Sequence, residues 1–238
     1  MNLLLCKEEF KHKGPVHTLL SEIVEGVSVL FSGGVDGTIK YWNTEQGRNE
    51  SNYITTIFAH KTTVLAMAFS RSRNILVSSS TDMTIKVWLL KDNFDKILNP
   101  LFQCIAVFKD FDYKKKAKDE NPFWITSLDM KETDILELYA GDTTGRIHVY
   151  HYVDSTYLKT HDKMKNSLKQ NITDEEVNSK YAINNLNFFK MFSIHERTLI
   201  KSVHSIFDAV IYSIGFDNKI IGYNLKKSNG IFIINYLF

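Results

Sequence analysis

Three times along this 238-residue chain an imidazole, a hydroxyl and a carboxylate recur in the same order: His12, Ser32 and Asp36; His60, Ser78 and Asp82; His195, Ser213 and Asp217. In each set the Ser-to-Asp step is four residues, and six residues further on stands an aromatic: Trp42, Trp88 or Tyr223. A serine, a histidine and an aspartate could serve as nucleophile, base and orienting carboxylate in acyl transfer. That chemistry needs one exposed serine at one site with an oxyanion hole beside it. Here the trio appears three times inside a repeated unit, and no Gly-x-Ser-x-Gly turn accompanies any copy. The repetition assigns these residues to bracing the fold.

The elements that carry them repeat as well. Residues 30–42 (LFSGGVDGTIKYW), 76–88 (LVSSSTDMTIKVW), 138–150 (LYAGDTTGRIHVY) and 211–223 (IYSIGFDNKIIGY) align without gaps. Each is a short β-type run, a turn, and a second run alternating with period two, which is the signature of a strand. Asp36-Gly37, Thr144-Gly145 and Asp217-Asn218 supply turn residues that tolerate positive φ or bond their own backbone. A third β-type run precedes each hairpin, clearest at 64–69 (VLAMAF), and an outer run such as 53–58 precedes that. The unit is four strands.

This unit resembles the WD40 repeat. The resemblance implies an all-β, WD40-type β-propeller with about four four-stranded blades. It also implies that His, Ser or Thr, Asp and Trp form one hydrogen-bonded chain, in which each buried polar group satisfies the next. The second repeat carries the full set (His60, Ser78, Asp82, Trp88) and so does the first (His12, Ser32, Asp36, Trp42); the fourth has His195, Ser213 and Asp217, with Tyr223 in place of Trp. The third departs: Ala140, Thr144 and Tyr150 occupy the Ser, Asp and Trp positions with no histidine well placed upstream, so a weaker blade is expected. The Trp-Asp dipeptide itself is absent; Asn43, Leu89, His151 and Asn224 follow the aromatics.

In the family each repeat supplies the outer strand of one blade and the three inner strands of the next. Outer strands are expected at 3–10, 53–58, 101–108, 183–194 and 231–238. The chain then begins and ends on an outer strand. A seven-bladed ring needs roughly 280–315 residues, so the expectation is an incomplete, open propeller: a piece of a longer one, or one completed by self-association or a second chain. Closure as a small four-bladed ring is the remaining alternative.

Two insertions interrupt the pattern. Residues 109–122 hold Lys114-Lys115-Lys116, balanced by Asp110, Asp112, Asp119 and Glu120, which reads as a solvated loop. Residues 151–182 are polar and are expected to be flexible or a short helix, with Thr173 as N-cap and Glu176 three residues on. The Asn171-Ile172-Thr173 sequon carries no weight in a chain with no secretory signal.

Composition narrows the function classes. Net charge is +2, too near neutral to argue for nucleic acid or an anionic membrane, and neither is expected as a partner; the excess of Lys over Arg, 24 to 5, is given no functional meaning. Cys6 and Cys104 are far apart, without metal spacing, and are expected to be reduced, partly buried thiols. No run approaches a membrane span. There is no Gly-rich phosphate loop and no metal spacing, so neither cofactor nor metal is expected, and no catalytic residue. The resemblance implies a protein-interaction scaffold; because the N-terminal apolar run is too short for a signal peptide and no run approaches a span, it is expected inside the cell, in the cytoplasm first, with cytoskeletal, ciliary or nuclear settings as alternatives. An accessory subunit of a larger complex is the second reading. Val35, Thr81 and Phe216, each just before the turn position, and Trp124, at the start of the third inner strand, are the candidate partner contacts.

Overall fold

Alternation decides the architecture. In β2 (Val27–Gly34) and β3 (Thr38–Asn43), Val29, Phe31, Ile39 and Tyr41 fall on one face and are fully buried there. A sheet with such a row on one face needs a covering layer, which here is the next sheet. The computed structural model describes residues 10–45, 53–91, 100–109, 123–132, 136–152, 186–193, 195, 198–206, 210–224 and 231–235.

Within those residues the chain forms four antiparallel four-stranded sheets. Blade 1 consists of β1 (Val16–Val24), β2, β3 and β4 (Tyr53–Phe58). Blade 2 has β5 (Val64–Ser70), β6 (Ile75–Ser80), β7 (Thr84–Leu90) and β8 (Phe102–Lys109). Blade 3 has β9 (Ile125–Glu132), β10 (Leu136–Asp142), β11 (Arg146–Tyr152) and β12 (Leu186–Ser193). Blade 4 has β13 (Ile200–Ile206), β14 (Val210–Gly215), β15 (Lys219–Asn224) and β16 (Ile231–Asn235). Outer strands β4, β8, β12 and β16 fall within the expected ranges or one residue past them and Phe10 is not in a strand, while 3–9, 183–185, 194 and 236–238 lie outside the described residues. Also outside them lie Cys6, most of the 109–122 loop, and residues 153–182 of the polar insertion, with Thr173 and Glu176.

The blades stack through their faces. Phe31, Ile39 and Tyr41 of blade 1 meet Met67, Phe69, Leu76 and Trp88 of blade 2 in one apolar cluster, the Phe31 and Phe69 rings 5.6 Å apart. Ile75, Val77, Ile85 and Val87 of blade 2 meet Ile125, Leu138 and Tyr150 of blade 3. Tyr139, Ile147 and Val149 of blade 3 meet Ile200, Val203 and Ile211 of blade 4. Each blade thus offers a leading face to its predecessor and a trailing face to its successor. The inner strands β1, β5, β9 and β13 neighbour one another in that order, and the arc stays open rather than closing blade 4 onto blade 1.

Every β2–β3-type hairpin turns through a left-handed residue: Gly37 at φ 77°, Met83 at 60°, Gly145 at 86° and Asn218 at 58°. Gly37 and Gly145 are also approached closely by backbone. A Cβ on Gly37 would collide with the His60 carbonyl oxygen, and one on Gly145 with that of His195. Cys104, expected to be partly buried, is exposed instead: it sits on outer strand β8, where no further strand covers it.

Candidate interaction surface and the braces behind it

In blade 1 the indole N–H of Trp42 donates to Ser32 Oγ at 2.9 Å. Indole can only donate, so Ser32 Oγ accepts there, and the same oxygen lies 2.9 Å from His12 Nε2. A carboxylate can only accept, so His12 Nδ1 donates to Asp36 at 3.1 Å. Asp36 also receives the amides of Lys13 (2.8 Å) and Thr38 (3.0 Å) and the Thr38 hydroxyl (2.8 Å). Burial alone would raise its pKa; these donors outweigh burial and hold it at about 2.

Blade 2 repeats the wiring. Trp88 donates to Ser78 at 3.0 Å, Ser78 meets His60 Nε2 at 2.8 Å, and His60 Nδ1 meets Asp82 at 3.2 Å. The Lys61 amide and the Thr84 amide and hydroxyl complete the shell around Asp82. Burial lowers the His60 pKa more than Asp82 raises it, leaving it at about 4 and the ring neutral at physiological pH. In blade 4, His195 bridges Ser213 at 2.9 Å and Asp217 at 2.8 Å. Tyr223 is buried opposite Ile211, the ladder position Trp42 and Trp88 take opposite Leu30 and Leu76. The threonine two residues after the aspartate belongs to the brace in blades 1 and 2 and was not singled out from the sequence; the shared Asp-x-Thr spacing was its signal.

Blade 3 has its own brace. His148 Nε2 lies 2.8 Å from Asp142 Oδ2, and both side chains are fully buried. Asp142 Oδ1 accepts from the Thr144 amide (2.7 Å), the Thr144 hydroxyl (2.8 Å) and the Arg146 amide (3.0 Å). Burial would raise the Asp142 pKa, but the His148 bond and these donors lower it. The imidazole arrives from strand β11 rather than from the preceding loop, and Phe123 stacks on it with ring centres 5.2 Å apart. Ala140 pairs with His148 in the ladder where Ser32 pairs with Lys40 and Ser78 with Lys86, so the histidine takes a site that two other blades give to lysine. Thr144, aligned with the turn aspartates, serves the carboxylate as a donor instead of replacing it.

The braces fix hairpin ends and lock each to the next loop: the His60 amide donates to the Gly37 carbonyl at 2.8 Å, and the His195 amide to that of Gly145 at 3.1 Å. At the same end of every blade a second backbone bond repeats: Val35 to Pro15, Thr81 to Thr63, Thr143 to Trp124 and Phe216 to Leu199, all 3.0–3.1 Å. Val35, Thr81 and Phe216 are the donors of this bond and Trp124 is the acceptor in blade 3, so all four lie along one rim, with Trp124 on the other side of the bond from the rest. Phe216 is 64% exposed and Trp124 40%; Val35 is exposed, while Thr81 is half-buried with its hydroxyl on Thr62. Among the described residues no cluster of three or more His, Cys, Asp or Glu could hold a metal ion. No helix among them is long and apolar enough to cross a membrane.

Four stacked four-stranded antiparallel blades, pinned at their hairpins by an imidazole–carboxylate pair that extends to a serine in three of them and on to a tryptophan in two, define a β-propeller of the WD40 kind. Residues 7–43 and 51–88 match the family described as WD domain, G-beta repeat. The sequence likeness to that family lies in those two repeats, and along the whole arc the likeness is one of fold. The chain is 38% identical over 84 residues to striatin-3 of Mus musculus, covering 32% of this chain and 10% of striatin-3. It is 28% identical over 124 residues to a subunit of chromatin assembly factor 1 from Gallus gallus, covering 50% of this chain and 21% of that protein. The solved structure of U3-55K superposes at a TM-score of 0.58 with 14% identity, over 94% of this chain and 53% of that one. The chain thus spans about half the length of that structural neighbour and a smaller share of the curated relatives.

Proposed function

We propose that this protein is an interaction scaffold that presents the rim residues Val35, Thr81, Trp124 and Phe216 to partner proteins and catalyses nothing. The observation that carries this reading is the exposure of two aromatics, Phe216 and Trp124, along the rim where the same backbone bond repeats in every blade. Exposed aromatics on rigid elements contribute large contact area at low entropic cost, and such residues dominate interface energies. The serine–histidine–aspartate sets point inward and are saturated by the fold, which leaves no nucleophile among them at the rim.

Striatin-3 and the chromatin assembly factor 1 protein match over part of their length. The second is by name a subunit of an assembly, which favours the related reading that this chain is an accessory subunit of a larger complex. On either reading it works inside the cell, in the cytoplasm first. The test is affinity capture from cells with the wild type and with a Trp124→Ala/Phe216→Asp double variant of unchanged melting temperature. The expected result is a reproducible set of partners depleted about tenfold or more, equivalent to roughly 1.4 kcal/mol or more of binding energy. An identical partner profile for wild type and variant overturns the assignment of the rim.

A further inference from the structure

At the end of blade 2 away from the rim, β5 and β6 are joined by a four-residue turn, Arg71-Ser72-Arg73-Asn74. Two of the chain's five arginines stand there, one on each side of a single serine, so cationic side chains are concentrated at that hydroxyl. The turn is tied to both neighbouring blades. Arg71 Nε donates to Glu22 Oε2 on β1 at 2.6 Å. Glu132, the last residue of β9, accepts the Ser72 amide at 3.1 Å. The same carboxylate accepts the hydroxyls of Ser70 and Ser72 and the Arg71 amide. Burial would raise the Glu132 pKa, and these donors bring it below the ordinary carboxylate value. One short turn thus joins blades 1, 2 and 3. The corresponding turn of blade 1, Glu25-Gly26, has neither hydroxyl nor arginine.

Both ties lie at the surface, where they can be exchanged. Ser70 is fully buried, but Ser72 and Glu132 are exposed, and the Arg71 side chain is 58% exposed. An exposed ion pair contributes little stability, so Arg71 can change partner at small cost. A phosphoryl group on Ser72 Oγ reverses the local electrostatics. The hydroxyl that donates to Glu132 becomes a group of about −2 charge that repels it. The same group offers the Arg71 guanidinium a bidentate acceptor of higher charge than the Glu22 carboxylate.

We propose that Ser72 is a phosphorylation site, and that its modification frees the turn of blade 2 from Glu132 of blade 3 and draws Arg71 away from Glu22 of blade 1. The enzyme is a serine/threonine kinase with carboxylates in its cleft that recognise arginine beside the acceptor. The γ-phosphoryl group of a nucleoside triphosphate passes to Ser72 Oγ. A bond from phosphorus to that oxygen forms as the bond to the β–γ bridging oxygen breaks, the hydroxyl proton goes to the kinase's base, and the nucleoside diphosphate leaves. The site lies at the opposite end of the blades from Val35, Thr81, Trp124 and Phe216, so it does not depend on the rim being a partner surface.

The test is incubation of the full chain with an arginine-directed serine/threonine kinase and ATP, followed by peptide mass mapping and hydrogen exchange. The expected result is a phosphoryl group at Ser72. Incorporation there falls about tenfold in Arg71→Ala, through loss of one charge-assisted contact with the kinase, and vanishes in Ser72→Ala. In the phosphorylated chain, amide exchange across 70–74 rises about tenfold or more, while the rim hairpins at 35–37 and 81–83 keep their protection. A synthetic peptide of residues 66–78 separates two ways of failing. Labelling of the peptide but not of the folded chain means that the turn is closed to the kinase; labelling of neither means that the sequence is no substrate. Either result overturns the site. Phosphorylation that leaves exchange across the turn unchanged overturns the release of blade 3.

Discussion

Blades 2 and 3 solve one problem by two routes. Each must bury a carboxylate at a hairpin bend, where it collects the turn's backbone amides. In blade 2 the imidazole comes from the loop before the sheet, and His60 relays to Ser78 and Trp88. In blade 3 it comes from within the sheet: His148 on β11 bonds Asp142 directly, and Phe123 packs over the ring. What is required is an imidazole at one place in space, not in sequence. A carboxylate buried among apolar strands is tolerable only when hydrogen-bonded, and either supply satisfies that condition.

The comparison breaks most visibly at the fully buried pair. His148→Leu strands the Asp142 carboxylate in the sheet and should cost about 3–5 kcal/mol, seen as a lowered urea midpoint. A loss under about 1 kcal/mol means that Asp142 does not depend on the imidazole. Acid sharpens the contrast from the other side. His60 has a folded pKa of about 4 against an ordinary 6.5, so the unfolded chain takes up its proton first. The stability it contributes is present above pH 6.5 and drains away as the pH falls toward about 4, on the order of 3 kcal/mol in all. His60→Gln should flatten that part of the stability–pH curve; an unchanged slope rules out the neutral, Nδ1-protonated ring.

Ser78→Ala removes the relay of blade 2, leaving the Trp88 N–H and His60 Nε2 without their partner, at a cost of about 2 kcal/mol by thermal melting. Ala140→Ser in blade 3 should give no matching gain, because no indole or loop histidine awaits the hydroxyl there. The smallest effect separates the turns. Met83 holds φ 60° where blades 1 and 3 use glycine, so Met83→Gly should raise stability by about 1 kcal/mol. Gly145→Ala should lower it, because its Cβ meets the His195 carbonyl. If Met83→Gly is destabilising, the methionine packs usefully enough to outweigh its backbone strain.

Much of this was legible in the chain. The Ser-to-Asp and Asp-to-aromatic steps located the braces of blades 1, 2 and 4, because a hairpin of fixed length makes sequence offset equivalent to spatial offset. Outer strands such as β4 and β8 followed from alternation. Asp142 and His148 escape a sequence reading because they stand at positions where other blades place glycine or serine and lysine. Their signal, a histidine on the inward side of the Arg146–Tyr152 alternation, has meaning only once that side is known to be sealed.

The sequence by itself determined the repeating unit: local turn chemistry and period-two patterning act over a few residues and need no distant contact. Which face of each blade is covered, where Phe216 and Trp124 come to lie relative to Val35, and that the arc stays open were decided only in three dimensions. Those properties depend on the angle between neighbouring sheets, and that angle is set by side-chain volumes at junctions, such as Gly33 against Val64, that lie far apart along the chain.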